Sequence, residues 1–181
     1  MTTASPAPHP GGVPGVGAAP VGRLPHLDAE GHARMVDVTG KQVTVREASA
    51  AGAVLCSSEV VAALRHGNVP KGDALAVARI AGIQAAKRTP ELVPLAHPVG
   101  VHAVSVDLQV LDDRVAITAT VRTADRTGVE MEALTAVSVA GLAFVDMVKA
   151  LDKHTVLTDI RVTAKSGGRS GDWKEAPRDA R

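Results

Sequence analysis

From Ala133 to Val145 every side chain is apolar or small except Thr135 and Ser138. A run of that length and composition reads as a helix buried on most sides, because an exposed face would carry charge. The charges gather at its ends. Glu130 and Glu132 open it, and Asp146 and Lys149 close it. A carboxylate entering a packed environment loses hydration, so it shifts its pKa, finds a partner or destabilises the fold. Two readings follow. The glutamates and Lys149 complement the helix dipole without further purpose, an account that Asp146 fits poorly because an acid near a helix C-terminus is disfavoured. Alternatively, these are the perturbed acids of a functional site. If Glu132 and Asp146 share one continuous helix, their 14-residue separation amounts to about 21 Å of rise on roughly one face. They would share a face but not a pocket, so each helix end is expected to supply a site completed by another subunit.

The 181 residues, 45% of them hydrophobic, suit one domain with an ample core. Residues 1–26 differ: six prolines between Pro6 and Pro25 alternate with Gly11, Gly12, Gly15, Gly17 and Gly22. Such a segment has little to bury and is expected to be a flexible arm. It lacks the basic start and apolar stretch of a secretory signal. The run Ala133–Val145 comes nearest to a membrane span, but its length is more typical of a buried helix. The expectation is a cytoplasmic protein with no membrane partner. Cys56 is the single cysteine, which excludes an internal disulfide and any multi-thiolate zinc site. It reads as a small buried hydrophobe. A net charge of +1 and only two aromatics, Phe144 and Trp173, argue against nucleic acid as a partner.

Arg34–Val38 reads as a short extended stretch, followed by a turn at Thr39-Gly40 and a strand-like run through Val43-Thr44-Val45. After an Ala-rich passage, Ser57-Ser58-Glu59 offers a cap for a helix through Leu64, closed by Gly67. Asp73 can cap a second helix with apolar positions Leu75, Ala76, Ile80 and Ile83, ending near Lys87-Arg88 before Pro90. Val104, Val106, Leu108 and Val110 alternate with polar residues, as do Val115, Ile117, Ala119 and Val121 beyond Asp112-Asp113, which predicts a hairpin with one buried face. After the long helix, Ile160, Val162 and Ala164 alternate as another strand. An antiparallel sheet backed by helices, an α+β fold, is the natural assembly.

Several short motifs are ambiguous alone. Lys71-Gly72-Asp73 places a cation ahead of a helix start, where an anion could dock, although a surface lysine before an ordinary cap is the commoner meaning. His97 sits between Pro94 and Pro98 in a loop, pre-positioned either for proton transfer or for a hydrogen bond to its own turn. His97 and His102 lack the spacing of a helical ligand pair and no third ligand is evident, so no metal site is expected. The tail Lys165-Ser166-Gly167-Gly168-Arg169-Ser170-Gly171 could close over an anion or serve as a solvated linker.

Taken together, Lys71-Gly72-Asp73, Ala78 through Thr89, Thr127 through Ala136, Asp146-Met147-Val148-Lys149-Ala150 and Lys165-Ser166-Gly167-Gly168 resemble, in order, the motifs of the cyclic pyranopterin monophosphate synthases. These form the molybdenum-cofactor biosynthesis accessory protein C family. The resemblance covers about residues 27–174. It implies a ferredoxin-like fold assembled as a homohexamer, a trimer of dimers, with active sites at subunit interfaces. It implies the conversion of 3′,8-cyclo-7,8-dihydroguanosine 5′-triphosphate to cyclic pyranopterin monophosphate with release of pyrophosphate. No redox cofactor is implied, and whether a magnesium ion accompanies the triphosphate stays open. By position, Asp146 and Lys149 match a catalytic pair, Lys71 and Lys165 further active-site lysines, Leu95, Ala96 and His97 a substrate-contacting loop, and Met131 with Glu132 a second such segment beside Glu130. Residues 27–165 would then form the catalytic domain, and residues 166–181 a tail whose first part orders near the active site. Cysteine is usual in the family where Ala96 stands, and tyrosine and cysteine where Val145 and Val148 stand, so neither thiol can be required. The alternative is a catalytically silent nucleotide-binding oligomer, separated from the enzyme by pyrophosphate release from the cyclic substrate.

Overall fold

The computed structural model describes residues 30–176. The expected flexible arm, residues 1–26, and residues 177–181 of the tail lie outside the described residues. Contacts set residues 30–36 apart from a main unit that begins at Asp37. The stretch expected across Arg34–Val38 is not a strand. Asp37 instead takes hydrogen bonds from the Thr39 N–H and hydroxyl at 2.9 and 2.7 Å, a local turn that competes with any ladder.

Five antiparallel strands form one sheet in the order β2-β3-β1-β4-β5. In chain order the elements are β1 (Thr44–Leu55), α1 (Ser58–His66), α2 (Ala74–Ala86), α3 (Thr89–Leu92), β2 (Val101–Val110), β3 (Arg114–Asp125), α4 (Glu130–Val148), β4 (Val156–Ser166) and β5 (Trp173–Lys174). The caps form as the sequence predicts: the Ser57 side chain accepts from Val60 N, Gly67 closes α1 at φ 68°, and Asp73 accepts from Ala76 N at 2.9 Å. The hairpin also holds, with Val104 opposite Val121 and Val106 opposite Ala119. Inward-facing side chains of the sheet meet α4 in a core centred on Phe144, Ile117, Val121 and Val137.

The Ala-rich passage after Val45 proves to be the central strand. Alanine has little β propensity, but here its size decides. A Cβ on Gly52 would lie 2.8 Å from Val137 Cγ1 of α4, and one on Gly82 of α2 would lie 2.8 Å from the Ala136 carbonyl oxygen. Helices this close tolerate only small residues between them. That also corrects the reading of α2: it buries Ala74, Ala78, Gly82, Ala85 and Ala86, while Ile80 is 58% exposed and Leu75, Ala76 and Ile83 are half-buried.

Strand β4 departs from simple alternation. Ala51 pairs with Arg161 but Ala53 with Thr158, and Ser49 pairs with Ala164 but Ala50 with Val162. Each shift is a bulge that holds one extra residue in β4. The first contains Asp159 at φ 60°, and the second contains Thr163, whose hydroxyl donates to the Ser49 carbonyl at 3.2 Å. The helix-facing positions of β1, Ala48, Ala50, Gly52 and Val54, therefore meet Lys165, Val162, Ile160 and Leu157. Unbroken alternation from Val162 would turn Ala164 inward and Lys165 out. The Thr163 bulge reverses this.

Candidate active site

Helix α4 runs unbroken from Glu130 to Val148, so Glu132 and Asp146 do occupy one helix, and the candidate residues fall into two clusters at its ends.

At the C-terminal end, Lys149 Nζ lies 2.6 Å from Asp146 Oδ1 and Lys71 Nζ lies 2.8 Å from Oδ2. Lys71 also donates to the Asp146 carbonyl oxygen at 2.8 Å, satisfying one of the carbonyls a helix end leaves open. Two cations thus outweigh the unfavourable dipole at this acid. The hydrogen bonds from Lys149 and then Lys71 pull the Asp146 carboxyl down to about 2. Lys71 reaches α4 from the α1–α2 loop, so it serves this cluster and not merely the start of its own helix. All three side chains are between 39% and 58% exposed, open to an incoming molecule.

At the N-terminal end, Lys165 Nζ sits 3.2 Å from Glu130 Oε1, delivered there by the β4 bulge. A Cβ on Gly128 would collide with the Glu130 carboxylate, so glycine at that position lets the side chain fold back over the turn. Glu132 is 3% exposed. Burial pushes its carboxyl up to about 7, and neighbouring Glu130 adds to the shift. Met131 remains 41% exposed. The Leu95–His97 loop belongs to this end of the sheet: it leads through Gly100, whose carbonyl accepts from Thr123 Oγ1 at 2.7 Å, into the start of β2, which pairs with the end of β3 that feeds α4. Leu95 is exposed; Ala96 and His97 are half-buried.

A cleft of about 170 Å³ beside Glu130 and Lys165 also takes in Lys41, Arg46 and Ser170. It adjoins a wider groove of about 510 Å³ to which Arg169 contributes. Arg46 is held by the Asp125 and Arg126 carbonyls at 3.0 and 3.2 Å, and Arg126 in turn donates to the Lys41 carbonyl at 3.0 Å. Four cations, Lys41, Arg46, Lys165 and Arg169, line a concave surface against two acids, Glu47 and Glu130. Such a surface suits a multiply charged anion. The sequence reading missed Lys41 and Arg46. A signal existed for Arg46, which shares the helix-facing parity of Ala48 and Ala50 in β1, so an inward charge was visible once the strand was continued to Leu55. Among the described residues, no three His, Cys, Asp or Glu side chains group closely enough to hold a metal ion.

The MoaC family model matches residues 35–168. The chain belongs to the MoaC family. Its MoaC relatives include a cyclic pyranopterin monophosphate synthase of Streptomyces coelicolor, 65% identical over 88% of this chain and 94% of the relative. One from a Nocardioides species is 66% identical over 83% of this chain and 94% of the relative. A third, cyclic pyranopterin monophosphate synthase 3 of Mycobacterium tuberculosis, is 55% identical over 88% and 91%. The match spans both ends of α4 and reaches Lys165 and Gly168, so both clusters lie within the family's territory.

Proposed function

We propose that the chain is a cyclic pyranopterin monophosphate synthase of molybdenum-cofactor biosynthesis, releasing pyrophosphate from 3′,8-cyclo-7,8-dihydroguanosine 5′-triphosphate by general acid–base chemistry. The observation that carries this reading is the convergence of Lys71 and Lys149 on Asp146, within a chain whose close relatives bear that name. Making a cyclic monophosphate from a triphosphate requires a substrate hydroxyl to lose its proton as its oxygen bonds the α-phosphorus, while pyrophosphate departs with added negative charge. Asp146, ionised and gripped by two ammonium groups, orients Lys149 and Lys71 to pass protons at the reacting atoms. The cationic groove of Lys41, Arg46, Lys165 and Arg169 takes the phosphates and stabilises the leaving group. Glu130 accepts hydrogen bonds from the guanine-derived ring, against the exposed Met131 and the Leu95–His97 loop, while the enclosed Glu132 meets the ring only from the floor of that site.

These two sets of groups stand about 21 Å apart along one helix, too far to hold one small molecule together. The site is therefore assembled from two protomers: the Asp146 end from one, the Lys165 end from its neighbour. Val77 and Ile80 of α2, Leu92 of α3 and Leu142 of α4 are each at least 43% exposed, and Leu92 lines, with Ala81, Ala85 and Val139, a groove of about 420 Å³ between these helices. Apolar surface of this kind supports burial against another copy, in the hexamer expected of the family. The βαββαβ order of the first four strands supports the ferredoxin-like description. The protein then acts in the cytoplasm.

Asp146→Ala or Lys149→Ala should abolish pyrophosphate release from the cyclic substrate while circular dichroism and oligomer size stay unchanged. Wild-type turnover in either variant removes that residue from the mechanism. Substrate binding without turnover by the wild type would favour the silent-module reading instead.

A further inference from the structure

A glycine-rich loop borders the cationic groove. Residues 167–172 include Gly167, Gly168 and Gly171 at φ of 82°, 75° and 69°, and glycine loses more conformational freedom on ordering than any other residue. The leading end of this loop continues β4. Its trailing end is tied to the sheet by two ladder pairs, Lys165 with Trp173 and Ala164 with Lys174, and the loop is closed on itself by the Gly167 N–H donating to Asp172 Oδ1 at 3.0 Å and the Gly171 N–H donating to the Gly168 carbonyl at 3.3 Å. Just beyond, Glu175 returns to the sheet: its N–H donates to the Thr163 carbonyl at 2.8 Å, and its carboxylate takes both contacts from Arg161 Nε at 2.9 and 3.0 Å. Arg161 Nη1 is in turn fixed by the Asp159 carboxylate and carbonyl at 2.7 and 2.9 Å. Asp159 is the bulge residue at positive φ. Arg161 pairs with Ala51, an outward position of β1, so this cluster lies on the sheet face away from α4 and outside the groove. The two side chains are 26% and 21% exposed, dry enough for the pair to matter.

We propose that Arg161 and Glu175 are positioning residues, a latch on the outer sheet face that holds the 167–172 loop shut beside the groove and thereby sets how tightly the groove binds a polyphosphate. The proposal rests on the reading of the groove as the phosphate subsite. Releasing the latch lets the loop carrying Arg169 and Ser170 swing away while Asp146, Lys149 and Lys71 stay in place. Phosphate affinity falls and the chemical step does not.

The test uses the full chain, with inorganic pyrophosphate as a competitive inhibitor alongside KM and kcat for the cyclic substrate. A pair of this exposure shifts an equilibrium by about threefold to fivefold, so Glu175→Gln should raise both the pyrophosphate inhibition constant and KM by that factor with kcat unchanged. Arg161→Lys, which keeps the cation but loses the fork, should move them in the same direction, and Glu175→Asp, which keeps the charge, should restore part of the affinity. Amide exchange should quicken at residues 167–172 and stay slow in β1 and β3. Unchanged inhibition and exchange in Glu175→Gln, or a fall in kcat at constant KM, overturns the latch alone. A wild-type protein that turns over substrate yet is not inhibited competitively by pyrophosphate overturns the groove reading beneath it.

Discussion

Glu132 and Asp146 carry the same functional group on the same helix, and their surroundings drive them in opposite directions. Asp146 stands in water between two lysines and is pulled down to about 2; Glu132 is enclosed and pushed up to about 7. Asp146 is therefore ionised throughout the neutral range, and its contribution to stability is present above its usual value of 3.8 and lost as the pH falls toward 2. Glu132 works with the other sign. Between about pH 4.5 and 7 the unfolded chain ionises while the folded one keeps its proton, so stability drops as the pH rises through that window. Glu132→Gln removes the penalty, and at about 1.4 kcal/mol per pKa unit the gain approaches roughly 3 kcal/mol above pH 7. Thermal melts should show the variant gaining over wild type at pH 8 and not at pH 4; a gain independent of pH would contradict the buried-acid account. The conflict of Asp146 with its helix dipole was visible in the chain. Its partner Lys71 was not, because 75 residues separate them and only the fold closes that gap.

At the scale of elements, legibility followed side-chain size. The β2–β3 hairpin declared itself through large apolar residues at every second position, and the caps of α1 and α2 through Ser57, Gly67 and Asp73. Strand β1 and the buried face of α2 did not, because they are written in alanine and glycine, whose placement depends on how near α4 lies. Strand β4 was legible as a strand but not in its facing, since two bulges interrupt its period. The turn that follows β4 is equally exacting. A Cβ on Gly167 would strike the Val45 carbonyl oxygen, at a φ of 82° that other residues avoid. Gly167→Ala should therefore force the turn off Val45, costing about 1–3 kcal/mol in strain, lowering the melting temperature and raising KM more than it lowers kcat. Wild-type values of both would show that the turn tolerates a side chain.

For the molecule as a whole, the consequential fact is that the Asp146–Lys149–Lys71 cluster and the cationic groove beside Glu130 and Lys165 sit at opposite ends of one helix. A site shared between protomers makes a sharp prediction. Mixed oligomers of Asp146→Ala and Lys165→Ala, each inactive alone, should regain activity, because some sites then combine an intact Asp146 end with an intact Lys165 end. No recovery after subunit exchange, verified by mass, would require each protomer to act alone. The exposed apolar residues lead to a second expectation: Ile80→Glu or Leu142→Glu should shift light scattering toward smaller species and remove activity together, while the β-sheet signal persists. Full activity in the smaller species would separate assembly from catalysis.

By itself the sequence determined the long apolar helix, the acids and lysine at its ends, the capped helices, the hairpin and the family motifs, all of which are encoded in local periodicity or in short runs of residues. Only the tertiary structure decided that Lys71 joins Asp146, that Arg46 and Lys41 join Lys165, and that Lys165 turns inward at all. Those pairings come from strand register, bulges and the close approach of small residues, which depend on how distant segments pack and leave no periodic trace in the chain.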